Sequence, residues 1–201
     1  MIQGLRARQK IIKRLFDLFF SFIGLVFLFL PILMLIIIST ISTRKFGLYW
    51  QERVGYQGKG FNIFKVRTMK ADGDESRITM KNDPRVTGFG GFLRKFKLDE
   101  TPQLWNVVIG EMSLVGPRPD VPGYADKLIG EDRLMLSVKP GITGPATLKY
   151  RNEEELLSKA KDPKKYNDEV LWVDKVKINK EYIRNWSLKG DVIYLLRTIF
   201  N

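Results

Sequence analysis

The sequence predicts an α/β protein, mostly α, in which a long apolar membrane helix precedes a small basic domain with a short β-hairpin. Three observations predict it. Leu18 to Thr43 is a run of 26 residues without a charge. Two strand-like runs, Phe46 to Trp50 and Phe61 to Val66, flank the turn-rich Gly55-Tyr56-Gln57-Gly58-Lys59-Gly60. The final third repeats an amphipathic helical pattern among lysines. The expected division is a membrane part, 1–43, and a second domain, 44–201.

The first residues carry Arg6, Arg8, Lys10, Lys13 and Arg14 between Leu5, Ile11, Ile12 and Leu15, the pattern of a basic amphipathic helix at a membrane surface. The uncharged run that follows would reach about 39 Å as a straight helix, against a hydrocarbon core of about 30 Å. Its apolar core is too long for an ordinary signal peptide, so it is expected to stay in the membrane. Both flanks are basic, since Arg44, Lys45 and Arg53 follow it. Proline deletes a helix hydrogen bond and clashes with the preceding turn, so Pro31 is expected to kink or break the run. A hairpin that enters and leaves by one face fits the basic flanks, and so does a kinked single span.

After the hairpin, Lys65, Arg67 and Lys70 form a basic cluster, with Lys65 and Arg67 on one face of a strand. Residues 71–87 are polar and read as a surface loop. Gly88 to Arg94 reads as a short helix leading to Leu98-Asp99-Glu100-Thr101-Pro102-Gln103. There Asp99 is placed to cap a helix whose first turn holds Pro102, with Leu104, Trp105, Val107 and Val108 on its buried face. Such a helix start suits a phosphate, but two carboxylates repel one unless a divalent cation or arginines intervene. Gly116-Pro117-Arg118-Pro119 and Pro140-Gly141-Ile142-Thr143-Gly144-Pro145 read as rigid turns. Glu153 to Glu155 open a helix. Asp168 to Arg184 and Asp191 to Phe200 give two more; Trp172 and Trp186 suit the headgroup level, and packing of these helices on the core fits the pattern at least as well.

Composition narrows the chemistry. The chain has 201 residues, 34 basic and 22 acidic, for a net charge of +12. That excess points to an anionic partner. No motif for nucleic-acid recognition is present, and no nucleic acid is expected. Neither cysteine nor histidine occurs. Thiol chemistry, histidine bases and the usual zinc sites are therefore excluded. A metal would need oxygen ligands, which favours Mg²⁺ or Mn²⁺. Nucleophiles reduce to Asp, Glu, Ser, Thr, Tyr or Lys.

Several ordered blocks together resemble one family. They are Lys13-Arg14-Leu15-Phe16-Asp17, Phe64-Lys65-Val66-Arg67-Thr68-Met69, Gly88 to Arg94, Leu98 to Val107, Gly110 to Pro119 and Pro140 to Gly144. Together they are similar to the bacterial sugar transferases, the monotopic polyprenyl-phosphate hexose-1-phosphate (phosphoglycosyl) transferases. The resemblance covers roughly residues 10–148. It implies transfer of a sugar-1-phosphate from a UDP-sugar to undecaprenyl phosphate, with release of UMP, at the start of surface-glycan assembly. It implies Mg²⁺, a re-entrant N-terminal helix, and the cytoplasmic face of the bacterial inner membrane. A homodimer is compatible with it.

The family's acidic dyad falls on Asp99 and Glu100, its Pro-Arg-Pro on Pro117, Arg118 and Pro119, and its helix arginine on Arg94. By this resemblance Asp99 attacks the sugar-bearing phosphorus, Glu100 holds the metal or the lipid phosphate, and Asp99 and Glu100 are the protein's metal ligands. Arg118 and Arg94 would contact the donor phosphates, with Lys65 and Arg67 as further candidates. Two segments depart from the family. Leu30 stands where many relatives have a serine before the proline, and Pro145 to Asn152 differs in a region that bears on sugar choice. The competing reading, a non-catalytic basic module tethered to a membrane and binding anionic lipid or nucleic acid, leaves the ordered Asp-Glu and Pro-Arg-Pro blocks unexplained.

Overall fold

The computed structural model describes residues 4–70 and 83–200. Its first element, α1, runs from Ala7 to Thr43 as 37 consecutive helical residues. It is long and apolar enough to cross a membrane. The break expected at Pro31 is not observed, because the helix continues through it. Energetics explains this. An interior proline costs a helix about 3 kcal/mol. Two new helix ends would strand up to eight backbone groups, each worth several kcal/mol where there is no water.

Exposure along α1 is uneven. Lys13, Asp17 and Ser21 are buried at one end and Ser39 and Thr43 at the other, each series spaced by four on one helix face. Between them Val26 to Pro31 is exposed on all sides. Both ends rest on the rest of the chain. Arg14 donates to the carbonyls of Val107 and Val108, at 2.6 and 2.9 Å. The backbone N–H of Leu114 donates to Asp17 at 3.0 Å. At the far end Ser39 donates to the carbonyl of Arg67, and Thr40 accepts from the N–H of Gly47 at 2.8 Å. Gly47 is glycine because a Cβ there would lie 2.0 Å from the carbonyl oxygen of Ile36.

The predicted hairpin forms. Strands β1 (Leu48–Val54) and β2 (Gly60–Val66) pair antiparallel, from Leu48 opposite Val66 to Val54 opposite Gly60. Helix α2 (Gly88–Lys95) is capped by Thr87, whose side chain accepts from the N–H of Gly90 at 2.9 Å. Residues 71–82 of the expected surface loop lie outside the described residues. A tight 3₁₀ turn, Leu98–Glu100, then precedes α3 (Gln103–Ile109). Asp99 therefore sits in the turn before α3 and is not its cap. The N-cap position of α3 is held by Pro102.

A second sheet was not expected: one of its strands lies within the Pro140 to Pro145 stretch read as a rigid turn. Strands β3 (Ser113–Val115) and β4 (Gly141–Thr143) pair in parallel, Ser113 with Gly141 and Val115 with Thr143. Three-residue strands carry too little periodicity to be told from turns. Five helices follow: α4 (Pro145–Lys149), α5 (Glu153–Lys159), α6 (Pro163–Tyr166), α7 (Trp172–Arg184) and α8 (Leu188–Phe200).

The core gathers Ile63 of β2, Val107 of α3, Leu114 and Val115 of β3, and Ile183 of α7, with Ile12 and Phe16 of α1 packed against it. At its edge Asp191 is 0% exposed. It accepts from Lys13 at 2.6 Å, Tyr182 at 2.7 Å and Trp186 at 3.0 Å. Every donor lost from a buried carboxylate is costly, so this cluster rivets α1 to α7 and α8. It also corrects an expectation: Trp186 is buried on Asp191, and Trp172 packs edge-on to Tyr124.

Candidate active site

The Asp99-Glu100 pair lies where the 3₁₀ turn, β2 and the loop after β3 meet. Lys97 enters the turn in the left-handed region, with φ 57°. Its carbonyl accepts from the N–H of Glu100, and that of Leu98 from the N–H and hydroxyl of Thr101. Both carboxylates are buried, 8% and 7% exposed.

Their environments differ. Glu100 Oε1 accepts from Lys65 Nζ at 3.1 Å and from Arg118 Nη2 at 2.5 Å, and Oε2 from Arg118 Nη1 at 3.3 Å. Burial disfavours the Glu100 anion, but Arg118 and Lys65 outweigh it and hold the carboxyl well below its ordinary range. Asp99 has no such fork. Its Oδ1 is buried without a hydrogen-bond partner among the described residues. Burial raises its carboxyl above the ordinary value and Glu100 adds to the rise, while Lys65 opposes it. Two adjacent carboxylates are thus pushed in opposite directions, one a neutralised anchor and the other a more basic group with an open oxygen.

Each supporting side chain is placed by a local device. Lys65 projects from β2, which is fixed to α3 by Asn106. That buried amide accepts from the N–H of Phe64 at 3.1 Å and donates to the carbonyl of Asn62 at 2.7 Å and to Glu111 at 2.8 Å. Burial pushes the Lys65 ammonium down and Glu100 pulls it back.

Arg118 is placed by crossed loops. Gly116 donates to Thr143 and Gly141 to Pro117, both at 2.8 Å, and Val54 donates to the carbonyl of Asp120 at 2.9 Å. A Cβ on Gly141 would lie 2.1 Å from the nitrogen of Gly116, so the crossing requires glycine there. Pro117 and Pro119, both buried, stiffen the loop between these bonds and contribute no side-chain polar group. Expected at the phosphate site, they flank Arg118 on this loop.

The other basic candidates separate. Arg94 acts on the charge of Asp99 and pairs with Glu154 of α5 at 3.9 Å. Arg67 is not brought to the carboxylates. It lies past the end of β2, where its Nε donates to the carbonyl of Phe46 at 2.8 Å and its guanidinium covers the Tyr49 ring at 5.1 Å. The strand ends at Val66, but the Arg67 guanidinium still covers Tyr49, the residue opposite Lys65 on β1.

Sequence reasoning missed Asn106, Arg53 and Asp120. A lone amide among apolar helix residues signalled Asn106, since a buried polar group needs partners. Asp120 directly follows the Pro-Arg-Pro segment, and burial pushes its carboxyl up to about 6.

Comparison with known proteins points to one family. The model of a family described as bacterial sugar transferase matches residues 8–201. A UDP-galactose-lipid carrier transferase of Erwinia amylovora is 35% identical over 209 residues, covering 95% of this chain and 40% of that protein. A UDP-glucose:undecaprenyl-phosphate glucose-1-phosphate transferase of Escherichia coli is 35% identical, with 96% and 40% covered. An exopolysaccharide production protein of Rhizobium meliloti is 34% identical, with 93% and 83% covered. The chain thus spans less than half of the first two relatives and most of the third. With a matching family model over nearly its whole length, the chain belongs to the bacterial sugar transferase family.

Proposed function

We propose that this chain transfers a sugar-1-phosphate from a UDP-sugar to undecaprenyl phosphate, releasing UMP, through a covalent intermediate on Asp99. The observation that carries this reading is a buried carboxylate oxygen without a partner beside a carboxylate already neutralised by two cations. Names of relatives support the substrates, since the E. coli protein is a UDP-glucose:undecaprenyl-phosphate glucose-1-phosphate transferase.

The steps follow from the chemistry of the groups. An Asp99 oxygen attacks the phosphorus that bears the sugar, and the bond from that phosphorus to the UMP oxygen breaks. UMP leaves with the electron pair. An oxygen of the lipid phosphate then attacks the same phosphorus and breaks its bond to Asp99, which regenerates the carboxylate. Charge on the equatorial oxygens is met by Arg118, with Lys65 and Arg94 close behind. Burial makes Asp99 more basic and so a better nucleophile. The fork on Glu100 keeps that side chain ionised and fixed.

The donor set fits a hard divalent cation. Asp99 Oδ1 has no partner, and Glu100 Oε2 has a single contact at 3.3 Å. Mg²⁺ is commonly held by one or two carboxylates together with substrate phosphates and water. Bound there, Mg²⁺ or Mn²⁺ would offset phosphoryl charge.

The reading includes a place for the enzyme. Helix α1 enters and leaves the cytoplasmic leaflet of the inner membrane by one face, bent around Val26 to Pro31. Anchoring of both its ends on the same domain supports this, as does the all-round exposure of those residues. The lipid phosphate then lies at the interface beside Asp99, at the first membrane step of surface-glycan assembly.

The test is a panel of UDP-sugars with undecaprenyl phosphate in magnesium buffer, scored for UMP. At least one donor should yield UMP, and excess EDTA should abolish it. No UMP from any donor would reject the reading in favour of a non-catalytic membrane module.

A further inference from the structure

Arg53 stands out on the inner face of the β-hairpin. In the sequence it reads as one of the basic residues flanking the membrane helix. In the structure it faces the other way. Tyr49 lies opposite Lys65, Gln51 opposite Ile63 and Arg53 opposite Phe61, so Arg53 and Lys65 share one face of the sheet. Glu52 and Trp50 of the opposite face are exposed, whereas Gln51 and Arg53 are partly buried.

Four residues of strand separate the Lys65 position from that opposite Arg53, about 13 Å. Side chains of this length reach about 6 Å each, so the two charged heads converge on the space between. Glu100 accepts from Lys65, and the charges of Glu100 and Arg118 act on both Lys65 and Arg53. The backbone beside Arg53 is fixed to the same loop, because Val54 donates to the carbonyl of Asp120.

The bonding of Arg53 is incomplete. Nη2 donates to Gln51 Oε1 at 2.7 Å. Nε is buried and has no partner among the described residues. Burial and the charge of Arg118 lower its affinity for its proton, and Asp120 and Glu100 restore part of it. A partly buried guanidinium that keeps a buried donor unused, within the field of a second guanidinium, is set up for an anion with several oxygens.

We propose that Arg53 and Arg118 form a two-guanidinium clamp for the diphosphate of a nucleotide-sugar, with Arg53 binding the phosphate that departs with the nucleotide. The proposal rests on the donor class named above. Arg118 exchanges Glu100 for a phosphate oxygen, and Arg53 gains a partner for its unused Nε. The clamp holds the two phosphates across the Asp99 oxygen, and Arg53 stabilises the charge that collects on the leaving nucleotide.

Binding of uridine diphosphate, which lacks the sugar, tests this on the full chain in lipid nanodiscs by isothermal titration calorimetry. Uridine monophosphate is titrated beside it, and thermal unfolding checks each variant for folding. Arg53→Gln should weaken uridine diphosphate binding at least tenfold, and uridine monophosphate binding in parallel. Arg53→Lys, which keeps the charge but not the paired donors, should weaken both by several-fold. If Arg53→Gln does not fold, Arg53→Lys carries the comparison. Wild-type affinity for both nucleotides in either folded variant would overturn the clamp while leaving the transfer reaction standing. Failure of the wild-type protein to bind either nucleotide would overturn both.

Discussion

At the scale of single residues, the site works by treating two neighbouring carboxylates unequally. Asp99→Asn keeps the shape and removes the proposed nucleophile, so UMP formation should fall by about 10³-fold or more. Intact-mass spectrometry after incubation with donor alone should find a sugar-phosphate increment on the wild-type chain and none on the variant. An undiminished increment in the variant would transfer the role to another residue.

Asp120 gives a separate reading of the same neighbourhood. Its carboxyl rises from 3.8 to about 6 through burial, opposed by Lys175, Arg53 and Arg118 and reinforced by Glu153. The folded chain therefore binds this proton more tightly than the unfolded chain does. Between about pH 4 and 6 the native state carries the extra proton, so the Asp120 contribution to stability falls as pH rises through that window. Asp120→Asn should unfold at a higher temperature than wild type near pH 7, by up to about 3 kcal/mol. The difference should vanish near pH 4. A pH-independent difference would mean that Asp120 titrates normally. The acidic dyad and Arg118 were legible in the sequence because their neighbours form recognisable blocks. Arg53 and Asp120 were not, since their importance comes from burial, and no spacing encodes which charge will lose its water.

At the scale of elements, the hairpin, α2, α5, α7 and α8 were legible because each repeats its period over enough residues or carries its own start signal. The parallel pair β3–β4 was not. Its three-residue strands are joined across 25 residues, from Val115 to Gly141, and their pairing depends on glycines that read as ordinary turn residues. That pairing holds Arg118. Gly141→Ala places a Cβ 2.1 Å from the Gly116 nitrogen, against backbone that cannot step aside as a side chain would. The crossing should open, lowering the unfolding temperature and cutting transfer activity by about 10-fold or more through misplacement of Arg118. Paired measurement of unfolding and of UMP release would test this. Wild-type values in both would show that the crossing tolerates a methyl group.

At the scale of the whole molecule, the sequence conveyed that a long apolar helix exists and that its flanks are basic. It did not convey that the helix continues through Pro31, because the cost of a broken helix in lipid lies in groups that no residue name records. Topology has a direct measurement in a chain without cysteine. Single cysteines at Arg14 and Arg44 should both resist an impermeant thiol reagent in intact cells and both react after lysis. Reaction of one from outside would establish a span.

The anchoring of α1 at both ends has a consequence for how the chain tolerates change in length. Every residue from Val26 to Pro31 is exposed, so substitution among apolar types there should matter little. Length should matter a great deal. One inserted residue advances the helical phase by about 100°, which would swing Ser39 and Thr43 off the domain while Lys13 and Asp17 stayed on it. Seven inserted residues bring the phase back to within about 20° but lengthen the helix by about 10 Å. A single alanine inserted after Leu28 should therefore reduce both stability and transfer, although it touches no part of the protein. Replacement of Leu28 by alanine should leave both near wild type. Equal behaviour of insertion and replacement would mean that the two anchors are independent. Otherwise the exposed stretch of α1 is a fixed-length tether whose phase is set by the contacts at its two ends.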